Sequence, residues 1–199
     1  GEGIGRAMDE VVRIAEEGNW KGIVIGNNGK QFSVGANLMN VGMLAMQKQF
    51  EPLGQMIDDF QQINMRIRTS KIPVVVATQG YVFGGGCEIA MHCDAGIYAA
   101  ESYIGLVEVG VGLLPGGGGT KEFAVRASDE FFEGDVQSPT LIKYFKTIAT
   151  AAVPTSAYEA YDLNYLKEGR DFVSVNTPMN IGLAKDKVLQ LSKNYMPPS

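Results

Sequence analysis

Histidine is nearly missing from this sequence. His92 stands alone among 199 residues, so any Ser-His-Asp or Cys-His arrangement would have to use it. Its place four residues after Glu88 on the same expected helix gives it a packing or capping role instead. Cysteine is almost as scarce. Cys87 and Cys93, six positions apart, are too few for a disulfide framework or a zinc site. They read as buried thiols in a reducing compartment, which points to the cytoplasm. With so few soft or imidazole ligands, no metal is expected. Long apolar runs are missing too: none approaches the ~18 residues of a membrane span, and no secretory leader is visible. The formal net charge is −5 without a basic block, which speaks against nucleic acid as a partner and makes any polyanionic ligand depend on local positive charge.

What is abundant is glycine, 25 residues of it, and short apolar runs between turns. The length fits one domain with a sizeable core. Residues 4–17 alternate as an amphipathic helix stopped at Gly18. Ile23-Val24-Ile25 is a short, wholly apolar strand, as in a sheet covered on both faces. Residues 26–31 form a turn-rich loop. Residues 39–69 are mostly helical, with a break or kink expected at Pro52 and Gly54. A strand over 73–77 runs into Gly80-Tyr81-Val82-Phe83-Gly84-Gly85-Gly86, from which a helix over 86–92 departs. Residues 93–100 read as another strand, 101–112 as a loop, and Leu114–Thr120 as a second glycine cluster, with Thr120 placed to cap a helix over 121–128. Irregular chain over 129–140 precedes a helix over 141–151 and a short helix over 157–163 capped by Ser156. A strand over 172–175 follows. Ile181, Ala184, Val188, Leu191 and Tyr195 make the stripe of a final amphipathic helix, a surface suited to docking. Alternating strand and helix signals argue for an α/β fold.

Two phosphate motifs fail. Gly110-Val111-Gly112-Leu113-Leu114-Pro115 ends in proline where a dinucleotide fingerprint needs glycine, and Val24 stands where a P-loop needs its first glycine. The turn at 84–86 remains. Glycines let the backbone turn sharply and a ligand approach closely, and a helix start presents unpaired N–H groups at the positive end of a dipole. The turn reads either as a tight packing corner or as a place where backbone donors meet developing negative charge, with Glu88 beside them. Glu88 and Glu108 are each flanked by apolar residues, Cys87 and Ile89, Val107 and Val109.

Five ordered segments change the odds. Phe32-Ser33-Val34-Gly35-Ala36-Asn37-Leu38, Lys71-Ile72-Pro73-Val74-Val75-Val76, Gly80–Glu88, Gly105-Leu106-Val107-Glu108 and Leu113–Thr120 together resemble the crotonase, or enoyl-CoA hydratase/isomerase, superfamily, most strongly over 20–120. The resemblance implies a crotonase-like α/β fold of ββα repeats wound as a spiral, with a core over 1–150 and a C-terminal helical segment over 151–199 of the same domain. It implies that Ala36 and Gly85 supply oxyanion-hole N–H groups, that Ser33, Val34 and Gly35 contact CoA through their backbone, and that the apolar run 41–67 lines an acyl pocket. Lys30 is a candidate for CoA phosphates, against the plainer reading of a solvated loop lysine. Glu88 and Glu108 match the two glutamates of the family's hydratases, one activating water and the other supplying a proton.

Departures accompany the match. The family's first strands are not seen ahead of the first helix, and the start at Gly1 reads as a cut edge. The longer connection over 121–150 and the Pro197-Pro198 ending look like the hydratase part of bacterial fusion enzymes with an NAD-dependent 3-hydroxyacyl-CoA dehydrogenase. The expected partners are thus an acyl-CoA substrate and either a homotrimer or a dehydrogenase domain in the same polypeptide, with no cofactor in this domain. Three readings stay open: a hydratase of β-oxidation, a Δ3,Δ2-enoyl-CoA isomerase, and an acyl-CoA-binding or assembly module without turnover.

Overall fold

A computed structural model describes residues 2–198. Helix α1 (Glu2–Glu17) leads to strand β1 (Ile23–Ile25), and helices α2 (Leu38–Met46) and α3 (Phe50–Arg68) follow. Strands β2 (Val74–Thr78) and β3 (Tyr81–Phe83) precede helix α4 (Gly85–His92). Strands β4 (Ala95–Ala99) and β5 (Tyr103–Gly105), a 3-10 turn at Glu108–Val111 and helix α5 (Gly119–Asp129) repeat that order. Helix α6 (Ser138–Ala149), strand β6 (Phe172–Ser174), a 3-10 turn at Thr177–Met179 and helix α7 (Asn180–Leu191) complete the elements.

The first strand of each turn of the chain enters one parallel sheet, in the order β1-β2-β4-β6. The second enters another, where β3 pairs with β5 in parallel and Ser33 bridges to Val82. Three windings follow: β1, the Ser33 bridge and α2–α3; then β2, β3 and α4; then β4, β5 and α5. This is the expected ββα spiral.

Strand β2 shows why its sequence is wholly apolar. Val74 and Val76 enter the larger core with Met91, Tyr98, Ile104 and Phe123. Val75 and Ala77 point the other way, into a second cluster with Ala184 and Val188 of α7. Alternate residues of a strand face opposite sides, and here both sides are buried. Burying one such valine contributes roughly 1.5–3 kcal/mol.

The structure corrects several expectations. The stripe of α7 is no docking surface: Ala184 and Val188 are buried, with Ile181 and Leu191 packed alongside, against the sheet. The break after residue 39 falls at 47–49, where Lys48 has a positive φ of 56°, and α3 runs unbroken through Pro52 and Gly54. Pro52 lies in the first turn, where its missing N–H costs no helical bond. Thr120 lies inside α5, whose N-cap is Gly118. Residues 157–163 form turns rather than a helix, although the Ser156 hydroxyl accepts from the Glu159 N–H at 3.3 Å as a cap would. The expected loop over 101–112 contains β5 and the 3-10 turn. The C-terminal segment adds β6 to the sheet beside β4 as well as α7. Among the described residues no helix is long and apolar enough to cross a membrane.

Candidate active site

Helix α4 begins where Gly84 turns the chain with φ of 54°. A Cβ there would sit 3.2 Å from Glu108 Oε1 and 3.6 Å from the Gly35 Cα, so the position is confined by conformation and by space. That close approach brings Gly35 and the Glu108 carboxyl against the helix start. The Phe83 N–H donates to the Ser33 carbonyl at 3.0 Å, and the Ser33 N–H to Tyr81 at 2.9 Å. Ser33 therefore spends its backbone groups on the sheet, and its hydroxyl accepts from the Gly35 N–H at 3.2 Å. Val34 is turned outward. Ala36 is exposed, and Asn37 caps α2 by accepting from the Asn40 N–H at 3.3 Å. Gly85 is the first residue of α4, so its N–H has no partner within the helix.

Glu88 occupies the first turn of the helix and is 2% exposed. Its Oε1 accepts from the Gly117 N–H at 2.8 Å and the Gly119 N–H at 2.9 Å. The second glycine cluster is thus a cradle for the first carboxylate. A Cβ on Gly117 would lie 2.5 Å from Glu88 Oε2 and would strike the ring of Phe60, so the cradle closes only over glycine. Phe60 also stands 3.0 Å from the Cβ position of Gly85. The ring thereby walls the carboxylate and the helix start together.

Burial raises the Glu88 carboxyl to about 7, the Gly119 and Gly117 N–H groups hold it down, and the charge of Glu108 raises it further. Glu108, at the start of its 3-10 turn, is also raised, by burial. Its Oε2 is buried with no hydrogen-bond partner. Such an oxygen disfavours the charged form. The charge of Glu108 thus opposes ionisation of Glu88.

His92 lies one turn further along α4, with its side chain fully buried. The ring Nδ1 meets the Glu88 carbonyl at 2.6 Å and Nε2 meets the Lys121 ammonium at 2.9 Å. An ammonium can only donate and a carbonyl only accept, which assigns the proton to Nδ1. Burial lowers this histidine to about 4. Lys121 and Arg68 pair with Glu122 at 2.6 and 3.2 Å. The histidine is thus a buried brace, as its sequence position indicated.

The structure therefore gathers Glu88, Glu108, Gly85 and the segment Ser33–Ala36 in one place. Of the apolar run 41–67, Phe60 stands against Gly85 and Gly117, beside Glu88. Helix α2 has no buried residue and exposes Met39, Met43 and Met46. Lys30 is exposed on its loop. Gly117 and Gly119 were noted only as part of the second glycine cluster, without a role toward Glu88, and Gln61 and Asn64 were not singled out by sequence. Asn64 did leave a signal, as a polar residue at the 4,3 spacing of Phe60, Asn64 and Ile67 on an otherwise apolar helix face. Among the described residues no group of histidine, cysteine, aspartate or glutamate could hold a metal ion.

The chain is similar to known proteins in sequence and in fold. Residues 6–132 match the family described as Enoyl-CoA hydratase/isomerase. The chain is 44% identical over 160 residues to a probable 3-hydroxyacyl-CoA dehydrogenase of Bacillus subtilis (strain 168), an alignment covering 80% of this chain and 20% of that protein. It is 39% identical over 101 residues to a crotonyl-CoA hydratase of Syntrophomonas wolfei, covering 50% of this chain and 36% of the relative. The chain thus spans about one fifth of the Bacillus relative's length. In fold it is similar to an enoyl-CoA hydratase from Polaromonas sp. JS666, with a TM-score of 0.75 at 23% identity, over 94% of this chain and 66% of that one.

Proposed function

Because the chain belongs to the enoyl-CoA hydratase/isomerase family, we propose that it hydrates trans-2-enoyl-CoA thioesters to 3-hydroxyacyl-CoA. The observation that carries this reading is the carboxyl pair. Glu88 is held by two N–H donors, and Glu108 Oε2 is buried and bare, both beside the start of α4. Donors that stabilise an anion suit a base, and a desolvated carboxyl with one bare oxygen suits an acid.

In this mechanism the N–H groups of Ala36 and Gly85 bind the thioester oxygen. Glu88 takes a proton from water as the water oxygen bonds C3 of the enoyl group. The π electrons of the C2–C3 bond move toward the thioester oxygen, and Glu108 delivers its proton to C2. One well-placed oxyanion donor typically contributes about 10²–10³ in rate. Val34 and Gly35 would face the CoA portion, whereas the Ser33 backbone groups expected there are engaged by the sheet. Phe60, with the exposed methionines of α2, would face the acyl chain.

The relatives extend the reading. We take the chain to be the hydratase portion of a polypeptide that also carries an NAD-dependent 3-hydroxyacyl-CoA dehydrogenase, acting in fatty-acid β-oxidation. That name belongs to the Bacillus relative, and no residue of this chain is assigned to NAD. Isomerisation of 3-enoyl-CoA is the alternative chemistry, served by Glu108 alone.

The test is hydration of crotonyl-CoA, followed at the enoyl thioester absorbance. Glu88→Gln and Glu108→Gln are each expected to lower kcat by about 10²–10⁴ while calorimetry shows acetyl-CoA binding retained. Full hydration by either variant would overturn the reading. Conversion of 3-enoyl-CoA without hydration would select the isomerase, and binding without turnover would leave an acyl-CoA-binding module.

A further inference from the structure

The cradle that holds Glu88 is itself held from α3. Gln61 Nε2 donates to the Gly116 carbonyl at 2.6 Å, and Asn64 Nδ2 donates to the Gly117 carbonyl at 2.7 Å. The two residues are one turn apart on one helix face. The Gly116 carbonyl and the Gly117 N–H belong to the same peptide unit. A donor on the carbonyl polarises that unit and strengthens the bond its N–H makes, since hydrogen bonds in a chain reinforce one another. The Gly118–Gly119 peptide is treated in the same way, because the Gly118 carbonyl accepts from the Glu122 N–H at 2.9 Å and its own N–H reaches Glu88.

We propose that Gln61 is a positioning residue for Glu88, acting through the peptide unit that joins Gly116 and Gly117. The inference deepens the hydratase reading and rests on Glu88 being the base of that reaction. Gln61 is exposed and touches neither carboxylate. Its contribution is to aim one N–H and to increase that group's partial positive charge. Asn64 fixes the next peptide and keeps the loop from rotating. Other charges near Glu88 are few. Glu108 faces it from the 3-10 turn, and α3 meets it with the neutral ring of Phe60. The Cys87 thiol is kept neutral by burial and by the two glutamates. Lys121, Glu122 and Arg68 converge on His92, behind the carbonyl of Glu88 rather than its carboxyl.

The experiment replaces Gln61 by methionine, which keeps size and helix propensity but cannot donate. Its readouts are the Glu88 carboxyl titration by infrared difference spectroscopy, assigned by its loss in Glu88→Gln, and the pH profile of crotonyl-CoA hydration. The expected result is an upward movement of the Glu88 midpoint by about 0.3–1 pH unit. The acidic limb of the profile should move with it, and thermal stability should stay close to wild type because the site is exposed. An unmoved Glu88 midpoint in Gln61→Met would overturn the proposal. If the wild-type protein does not hydrate crotonyl-CoA, the hydratase reading fails, and the infrared titration still decides the relay. A purely structural role would change the melting temperature and leave the midpoint in place, which also overturns it.

Discussion

The imidazole of His92 donates through Nδ1 to the carbonyl of Glu88 at 2.6 Å, one helical turn behind the carboxyl that enters the glycine cradle. Backbone and side chain of one residue are thus fixed from opposite sides, by a buried neutral ring and by two backbone N–H groups. Both titratable groups are displaced by burial, and in opposite senses.

The pH dependence of stability should show that opposition. Glu88 is raised to about 7 from an ordinary 4.5, so its contribution is intact below about 4.5 and is lost as pH rises through about 7. His92 is lowered to about 4 from an ordinary 6.5, so its contribution is intact above about 6.5 and is lost as pH falls through about 4. Between about 4.5 and 6.5 the two slopes offset each other. Glu88→Gln should make stability rise with pH across that window, and His92→Gln should make it fall, each by about 1–3 kcal/mol relative to wild type. Urea melts at four pH values check this; two unchanged profiles would contradict the assignment.

Removing the neighbouring charge should ease ionisation of Glu88. Glu108→Gln is expected to move the Glu88 midpoint below about 7, because the nearby Glu108 charge helps to raise it. Infrared titration of the remaining carboxyl measures the movement. A midpoint that rises would mean that the two groups do not share the site.

Phe60→Ala opens the wall. The ring is partly buried against the core, so the stability loss should be about 2 kcal/mol, below the ~3–5 typical of fully buried phenylalanines. Burial is the largest cause of the raised Glu88 carboxyl, and water admitted beside it should bring the midpoint back toward 4.5. Denaturant melts and the pH profile of hydration report the two effects separately.

Gly117→Ala tests the cradle directly. The added methyl must displace both the Phe60 ring and Glu88 Oε2, and overpacking of this kind costs about 1–3 kcal/mol. Hydration should fall by about tenfold or more as the N–H to Glu88 is misaligned. A variant with wild-type kcat and melting temperature would show that the loop tolerates a side chain and does not position the carboxylate.

Local sequence determined a good deal of this protein. Val74–Ala77 had to be a buried strand because it offers no polar face, Ile23–Ile25 is equally apolar but ends half-buried at the edge of the sheet, and α7 could be read from its 3,4 spacing because periodicity encodes which side a helix hides. The glycine turn before Glu88 was legible as a helix start with free donors. The three-residue strands Tyr81–Phe83 and Tyr103–Gly105 were not, since they are too short to show a period and exist through pairing with each other and with Ser33.

Tertiary structure alone decided where the Glu88 carboxyl points. Its donors lie 29 and 31 residues away, and the loop that carries them is held at the Gly116 and Gly117 carbonyls by Gln61 and Asn64, 55 and 53 residues from those carbonyls. Burial, which governs the acidity of both glutamates, depends on surfaces contributed by several windings of the chain. A carboxylate flanked by Cys87 and Ile89 could equally have faced solvent. It is a base candidate because folding removes its water and replaces it with two backbone N–H groups.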